Sequence, residues 1–247
     1  MKYLNKTEVN TLSERFTIAV TLLRYGIYVN LMTGKLFYLP FHPKIQCKSL
    51  WLIRHGKTLA VDHGEFMNND SDNSKLTEEG VIELAQLSKS ISALYPDVIL
   101  VGPLERTLET FKVLSQNLDC KPFVKKCDYL LGINNGVWGG KTFEMLDLDN
   151  VCVFFQRECK RNIFAKTSDG DSWGDVLFRC TKLLKDINKN YSGKNVLLVS
   201  QGSIYQGLKI LLHREKSPWD GYETGAMFGT MTSKEKKLGY GKIFKIY

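Results

Sequence analysis

Three short apolar runs, SLWLI at 49–53, DVILV at 97–101 and NVLLV at 195–199, are separated by stretches with helical periodicity, and a glycine follows each within three residues. Runs of this length, bounded by turn residues, suit strands buried on both faces. Strands that alternate with helices imply a mostly parallel sheet with helices on both sides, so the expected class is α/β.

The segments between the runs support that reading. LTEEGVIELAQLSKSISAL (76–94) carries apolar residues at helical spacing, and Thr77 followed by Gly80 and acidic residues suits a helix start. A helix is expected at about 105–116, a strand near 122–130, a glycine-rich loop at 132–142, a long helix at 172–189 and another at 203–212. GKIFKIY at the chain end alternates like a strand. Ahead of all this, residues 1–46 are expected to form a separate N-terminal extension, one amphipathic helix and a β-hairpin turning at MTGK, with 47–247 as the main domain. This extension is expected either to pack on the main domain or to form a homodimer contact, since an exposed hairpin edge can pair with another chain.

Net charge narrows the partners. A formal charge of +8 favours an anion: a phosphorylated metabolite, a nucleic acid or an acidic membrane surface. Nucleic acid is disfavoured because no aromatic-basic recognition motif accompanies KEKK at 234–237. The most apolar early segment, Phe16 to Met32, is interrupted by Arg24 and Gly26 and makes a poor membrane span or signal peptide. The six cysteines, Cys47, Cys120, Cys127, Cys152, Cys159 and Cys180, include no C-x-x-C pair and no cysteine–histidine cluster at zinc spacing. They read as reduced, mostly buried thiols in a cytoplasmic protein, with no metal and no cofactor expected.

In open α/β sheets ligands collect at the carboxyl ends of strands. Arg54 and His55 follow the first run, Arg106 comes soon after the second, and Gln201 follows the third. Two guanidinium forks suit a phosphate, and Gly56, Gly102 and Gly202 would let backbone N–H groups approach it. A neutral imidazole at His55 could attack phosphorus while the cations offset charge on its oxygens.

LIRHGKT (52–58), KLTEEG (75–80), GPLERTLET (102–110), LLGINNGVWGGKTFEML (130–146), GDSW (170–173) and NVLLVSQGS (195–203), in that order, resemble the histidine phosphatase superfamily, the phosphoglycerate-mutase-like fold. The resemblance spans roughly residues 48–215 and implies a three-layer α/β/α sandwich. It further implies that His55 becomes phosphorylated and that Arg54 and Arg106 hold phosphate. The same resemblance places a second histidine at Gln201 and a glutamate general acid at Gly132, so this chain reads as a divergent member lacking both. Gln201 can still donate a hydrogen bond to phosphate, without charge; Gly132 can transfer no proton. The family's asparagine beyond the RHG triplet is also replaced, near Ala60 and Val61. Asp62, His63, Glu65 and Asp171 are the candidate substitute acids, and Lys57 is a candidate replacement for the missing charge.

Three functions follow: an atypical phosphatase or phosphotransferase working through His55 on a small phosphorylated molecule, a pseudoenzyme that keeps the phosphate pocket for binding or regulation, and a basic module for acidic partners. The first two fit the residues best.

Overall fold

A computed structural model describes residues 6–40, 43–68, 75–212 and 240–247. His42, His213 and the KEKK run lie outside them. The chain opens with α1 (Lys6–Leu23) and a hairpin of β1 (Ile27–Val29) and β2 (Leu36–Tyr38). Then come β3 (Ser49–Arg54), a one-turn α2 (Leu59–Asp62), α3 (Glu78–Ser92), β4 (Val98–Val101), α4 (Glu105–Ser115) and β5 (Phe123–Lys126). The second half holds α5 (Leu148–Phe154), α6 (Trp173–Asn190), β6 (Asn195–Ser200), α7 (Gly202–Leu211) and β7 (Ile243–Lys245).

Five strands form one sheet in the order β5-β4-β6-β3-β7. The first four are parallel, and β7 runs antiparallel along the outer side of β3, pairing Ile53 with Ile243. Alternation along the strands sorts side chains to two cores. Leu50, Leu52, Leu100 and Leu198 face α1, α6 and α7, whereas Ile53, Ile99, Val101 and Val199 face α3 and α4. Helices on both faces of a mostly parallel sheet make the three-layer sandwich. Each of these buried aliphatic side chains contributes about 1.5–3 kcal/mol, which the exposed β5 edge strand does not share.

Helix starts follow local chemistry. Thr77 Oγ1 accepts from Gly80 N–H at 3.1 Å to begin α3. At α6, Ser172 Oγ accepts from Asp175 N–H while Asp175 Oδ2 accepts from Ser172 N–H, a reciprocal capping box. The N-terminal helix and hairpin place Ile18, Leu22, Ile27 and Val29 in the larger core instead of forming one of their own.

Two features differ from the sequence expectation. Residues 148–159, which the periodicity did not mark, form α5 and a π-helical turn, Phe155–Cys159. Polar residues interrupt its apolar ones, so neither period stands out. Nor are the thiols mostly buried: Cys47, Cys127 and Cys180 are, but Cys152 and Cys159 are exposed on this segment and Cys120 is half-buried. All six are free, and no described helix is long and apolar enough to cross a membrane.

Candidate functional site

Parallel strands β3, β4 and β6 end on the same edge of the sheet, and the residues singled out in the sequence hang from that edge. Arg54 is the last residue of β3 and His55 the next; Arg106 lies in the first turn of α4, after β4; Gln201, in extended backbone, is the N-cap of α7, after β6. Two helix N-termini, those of α4 and α7, therefore open at this edge, where their dipoles favour negative charge.

His55 is 1% exposed, and its Nδ1 lies 2.8 Å from the Gly56 carbonyl. A carbonyl can only accept, so Nδ1 carries the proton and Nε2 keeps its lone pair. Burial pushes the imidazole well below its ordinary pKa of 6.5, and the charges of Arg106 and Arg54 push the same way; the bond to Gly56 opposes them. At neutral pH the ring is a neutral base.

Arg106 is just as buried. Its Nη2 and Nε donate to Gln201 Oε1 at 2.8 and 3.3 Å, and Nη1 donates to the Asn68 carbonyl at 3.2 Å. Burial and the neighbouring Arg54 charge bring its pKa down to about 10, against a smaller opposing influence of Tyr240. No carboxylate among the described residues forms an ion pair with it. Because Gln201 turns its oxygen to Arg106, its amide nitrogen points elsewhere, and this buried Nε2 has no hydrogen-bond partner among the described residues. A buried donor left in that state calls for an acceptor.

Gly132 lies against the same amide. A Cβ there would sit 2.7 Å from Gln201 Oε1 and 3.2 Å from Ser203 Oγ. The glutamine fills the space that a side chain at 132 would need.

Tyr240 is a site residue the sequence reading missed. Its ring covers the Arg54 guanidinium, with Cζ 3.7 Å from the ring centroid, and lies 5.5 Å from the His55 ring, centroid to centroid. No local signal marks it. It reaches the site because β7 pairs with β3 and Gly241 N–H donates to the Arg54 and His55 carbonyls. Asn68 was missed too. It gives its carbonyl to Arg106, while its side chain donates to Gly136 O and accepts from Asn135 N–H, joining the glycine-rich loop to the site.

Other sequence expectations change. Gly56 and Gly102 do not offer their N–H groups to a ligand: the first donates to Thr110 Oγ1 at 3.0 Å and the second to Val199 O at 2.9 Å. Gly56 is needed for packing, since a Cβ would meet Leu84 at 2.7 Å. Lys57 does not turn inward to replace charge; its Nζ bonds Asp62 at 2.8 Å and Glu79 at 2.7 Å, and these bonds raise its pKa. Glu65 pairs with His63, and Asp171 braces the loop by accepting from Asn134 N–H and Arg179. Trp138 is packed in the interior, its Nε1 donating to Asn150 Oδ1 at 2.7 Å. A surface cleft of about 370 Å³ lies at the opposite end of β3, lined by Lys209, Lys245, Ile246 and Tyr247.

Comparison with protein families matches residues 50–224 to the histidine phosphatase superfamily (branch 1). Comparison with curated protein sequences gives no significant match. Among solved structures, YhfR of Bacillus stearothermophilus superposes with a TM-score of 0.61 at 19% identity, over 79% of this chain and 88% of that one. A mycobacterial glucosyl-3-phosphoglycerate phosphatase with VO3 gives 0.59 at 20% identity, over 78% and 88%. A histidine-to-alanine mutant of phosphoserine phosphatase from Entamoeba histolytica, in complex with phosphoserine, gives 0.58 at 25% identity, over 79% and 88%.

Proposed function

The chain belongs to the histidine phosphatase superfamily (branch 1), and from that premise we propose that it binds a phosphorylated small molecule, its phosphoryl group held by Arg54, Arg106 and Gln201 with His55 as the nucleophile. The observation that carries this reading is the buried, neutral His55, whose ring feels the charge of a buried Arg106 that has no carboxylate partner among the described residues. A phosphoryl group would supply the missing negative charge and an acceptor for the orphaned Gln201 amide. The phosphatases to which the fold is similar act on small phosphomonoesters, which supports the substrate class. Free thiols throughout fit a cytoplasmic setting.

In the transfer step Nε2 attacks phosphorus, the P–O bond to the leaving group breaks, and the departing oxygen takes the electron pair. Water then attacks the phosphohistidine; the P–N bond breaks, its electrons return to Nε2, and inorganic phosphate leaves with the water's oxygen and protons. Arg54 and Arg106 offset charge on the equatorial oxygens throughout. The departing oxygen of an alkyl ester also needs a proton, and Gly132 has none to give. A missing general acid slows such a step by about 10²–10⁴-fold. An aryl phosphate, whose leaving oxygen is stable without a proton, largely escapes that penalty.

A second reading, a catalytically inactive pseudoenzyme that binds phosphorylated ligands, is favoured by one observation: Gln201 packs into the space beside Gly132 where an acidic side chain would stand. One experiment separates the two. Nitrophenyl phosphate and an alkyl phosphomonoester are supplied in parallel. The enzyme reading expects acid-labile phosphate on the protein and nitrophenolate release, both abolished by His55→Ala, with far slower alkyl turnover. Stabilisation by phosphate without label or turnover leaves the second reading, and no effect of phosphate at all removes both.

A further inference from the structure

Helix α1 has apolar residues on more of its circumference than the core uses. Ile18 and Leu22 point inward and are buried. Leu12, Phe16, Val20 and Leu23, spaced four, four and three apart, form a second stripe about 80° wide that faces outward. Phe16 is 60% exposed and Leu23 50%. The hairpin that follows adds to it: Tyr28 and Phe37 are cross-strand partners on its exposed face, and Met32 near the turn is 83% exposed. An outward stripe along two helical turns and more, with three further exposed apolar residues in the hairpin that follows it, is more than the scattered apolar surface of an ordinary monomer.

The charge of the segment that carries the stripe says what kind of surface it meets. Residues 1–48 hold seven lysines and arginines against two glutamates, so one fifth of the chain carries +5 of the net +8. Arg24, Lys35, Lys44 and Lys48 are exposed there. A second copy docking through the same face would set +5 against +5. An anionic surface with an apolar interior would satisfy both the cations and the stripe. The helix is 18 residues long and carries charge at Lys6, Glu8, Glu14 and Arg15, so it can lie on a bilayer but not cross it.

We propose that the outward stripe of α1 and the exposed face of the hairpin form a docking surface for anionic lipid bilayers, with Leu12, Phe16, Val20 and Leu23 inserted at the acyl boundary and Arg24, Lys35, Lys44 and Lys48 at the headgroups. The surface is separate from the His55 pocket and does not depend on what that pocket does.

The test is flotation of the full chain with vesicles of phosphatidylcholine containing about one third phosphatidylserine, against phosphatidylcholine alone. Binding to the anionic vesicles is expected, about tenfold weaker on neutral vesicles or in high salt. Phe16→Glu with Val20→Glu should weaken it about tenfold. Arg24→Glu with Lys35→Glu, at exposed positions outside the core, should do the same without affecting the fold, and a melting curve checks both variants. Inorganic phosphate, added at constant ionic strength, should leave binding unchanged, since it would compete only if the His55 pocket held the headgroup. Equal binding to the two vesicles, none to either, competition by phosphate, or a dimer in light scattering that Phe16→Glu dissociates would overturn the proposal.

Discussion

Arg106 and Arg157 are both almost wholly inaccessible, at 1% and 2%, yet their surroundings are opposite. Arg157, in the π-helical turn, donates through Nε to Glu158 at 2.7 Å and through Nη2 to Asn135 at 3.2 Å, and stacks on Trp138 with Cζ 4.4 Å from the ring centroid. Arg106 has a neutral amide and a carbonyl for partners, and its charged neighbour is another arginine. Burial lowers the pKa of both. Only Arg157 has a carboxylate that draws it back up, while burial in turn pushes Glu158 up. Taking a charge out of water is tolerated when an opposite charge goes with it. A buried cation so compensated needs nothing further to hold its charge, and one without compensation marks where an anion from outside belongs. Gln201 Nε2 beside Arg106 and Arg157 Nη1 beside Glu158 are both buried donors without a hydrogen-bond partner among the described residues, but only the first adjoins a neutral imidazole.

The sharpest way to break this contrast is to remove the partner from one arginine and the charge from the other. Glu158→Ala leaves Arg157 buried and uncompensated and should cost about 3–5 kcal/mol of unfolding free energy in urea titrations. Arg106→Met relieves repulsion with Arg54 and should cost far less, and the thermal stabilisation by phosphate expected of the parent protein should be lost. Equal losses from the two substitutions would mean that the arginines play the same role.

Next in size is the packing between Gly132 and Gln201. Gly132→Ala places a methyl 2.7 Å from an amide oxygen that two Arg106 N–H groups hold in place, so it should destabilise by about 1–3 kcal/mol. Combined with Gln201→Ala the added penalty should disappear, and a double-mutant cycle measures that coupling. Simple additivity would show that the amide moves aside freely.

The smallest expected effect is a pH dependence confined to the pocket. His55 is held neutral in the fold but takes a proton in the unfolded chain below pH 6.5, so the unfolded state gains protons first and stability falls as pH drops. Between pH 7.5 and 5.5 this loss is on the order of 1 kcal/mol. His55→Asn should lack that part of the loss, read as the difference between the two proteins at the two pH values. Identical slopes would mean that the imidazole is not held neutral.

Much of the architecture was legible before any coordinates. SLWLIR, VILV and NVLLVS announce buried strands through composition alone, and Thr77 announces a helix start because capping is a contact between residues three apart. Arg54, His55, Arg106 and Gln201 could be placed at strand ends by the same local reading. Residues 148–159 were not legible, since their helix has no clean apolar face and is held by Asp147 capping Asn150 and by aromatic packing of Phe154 on Trp138. The glycines misled for a related reason: a glycine advertises room for a close approach without saying what approaches, and at Gly56 the neighbour is Leu84.

By itself the sequence determined the order of the sheet strands and of the helices between them, residues 148–159 apart, and that cations and an imidazole sit where strands stop, because those facts depend on contacts spanning a few residues. Tertiary structure alone decided that Tyr240 covers Arg54, that Gln201 turns its oxygen to Arg106 from 95 positions away, and that Gly132 is closed off by that same amide. Such pairings arise from how whole elements pack. Burial then removes the competing water, and the side chains left facing one another must satisfy each other or wait for a ligand.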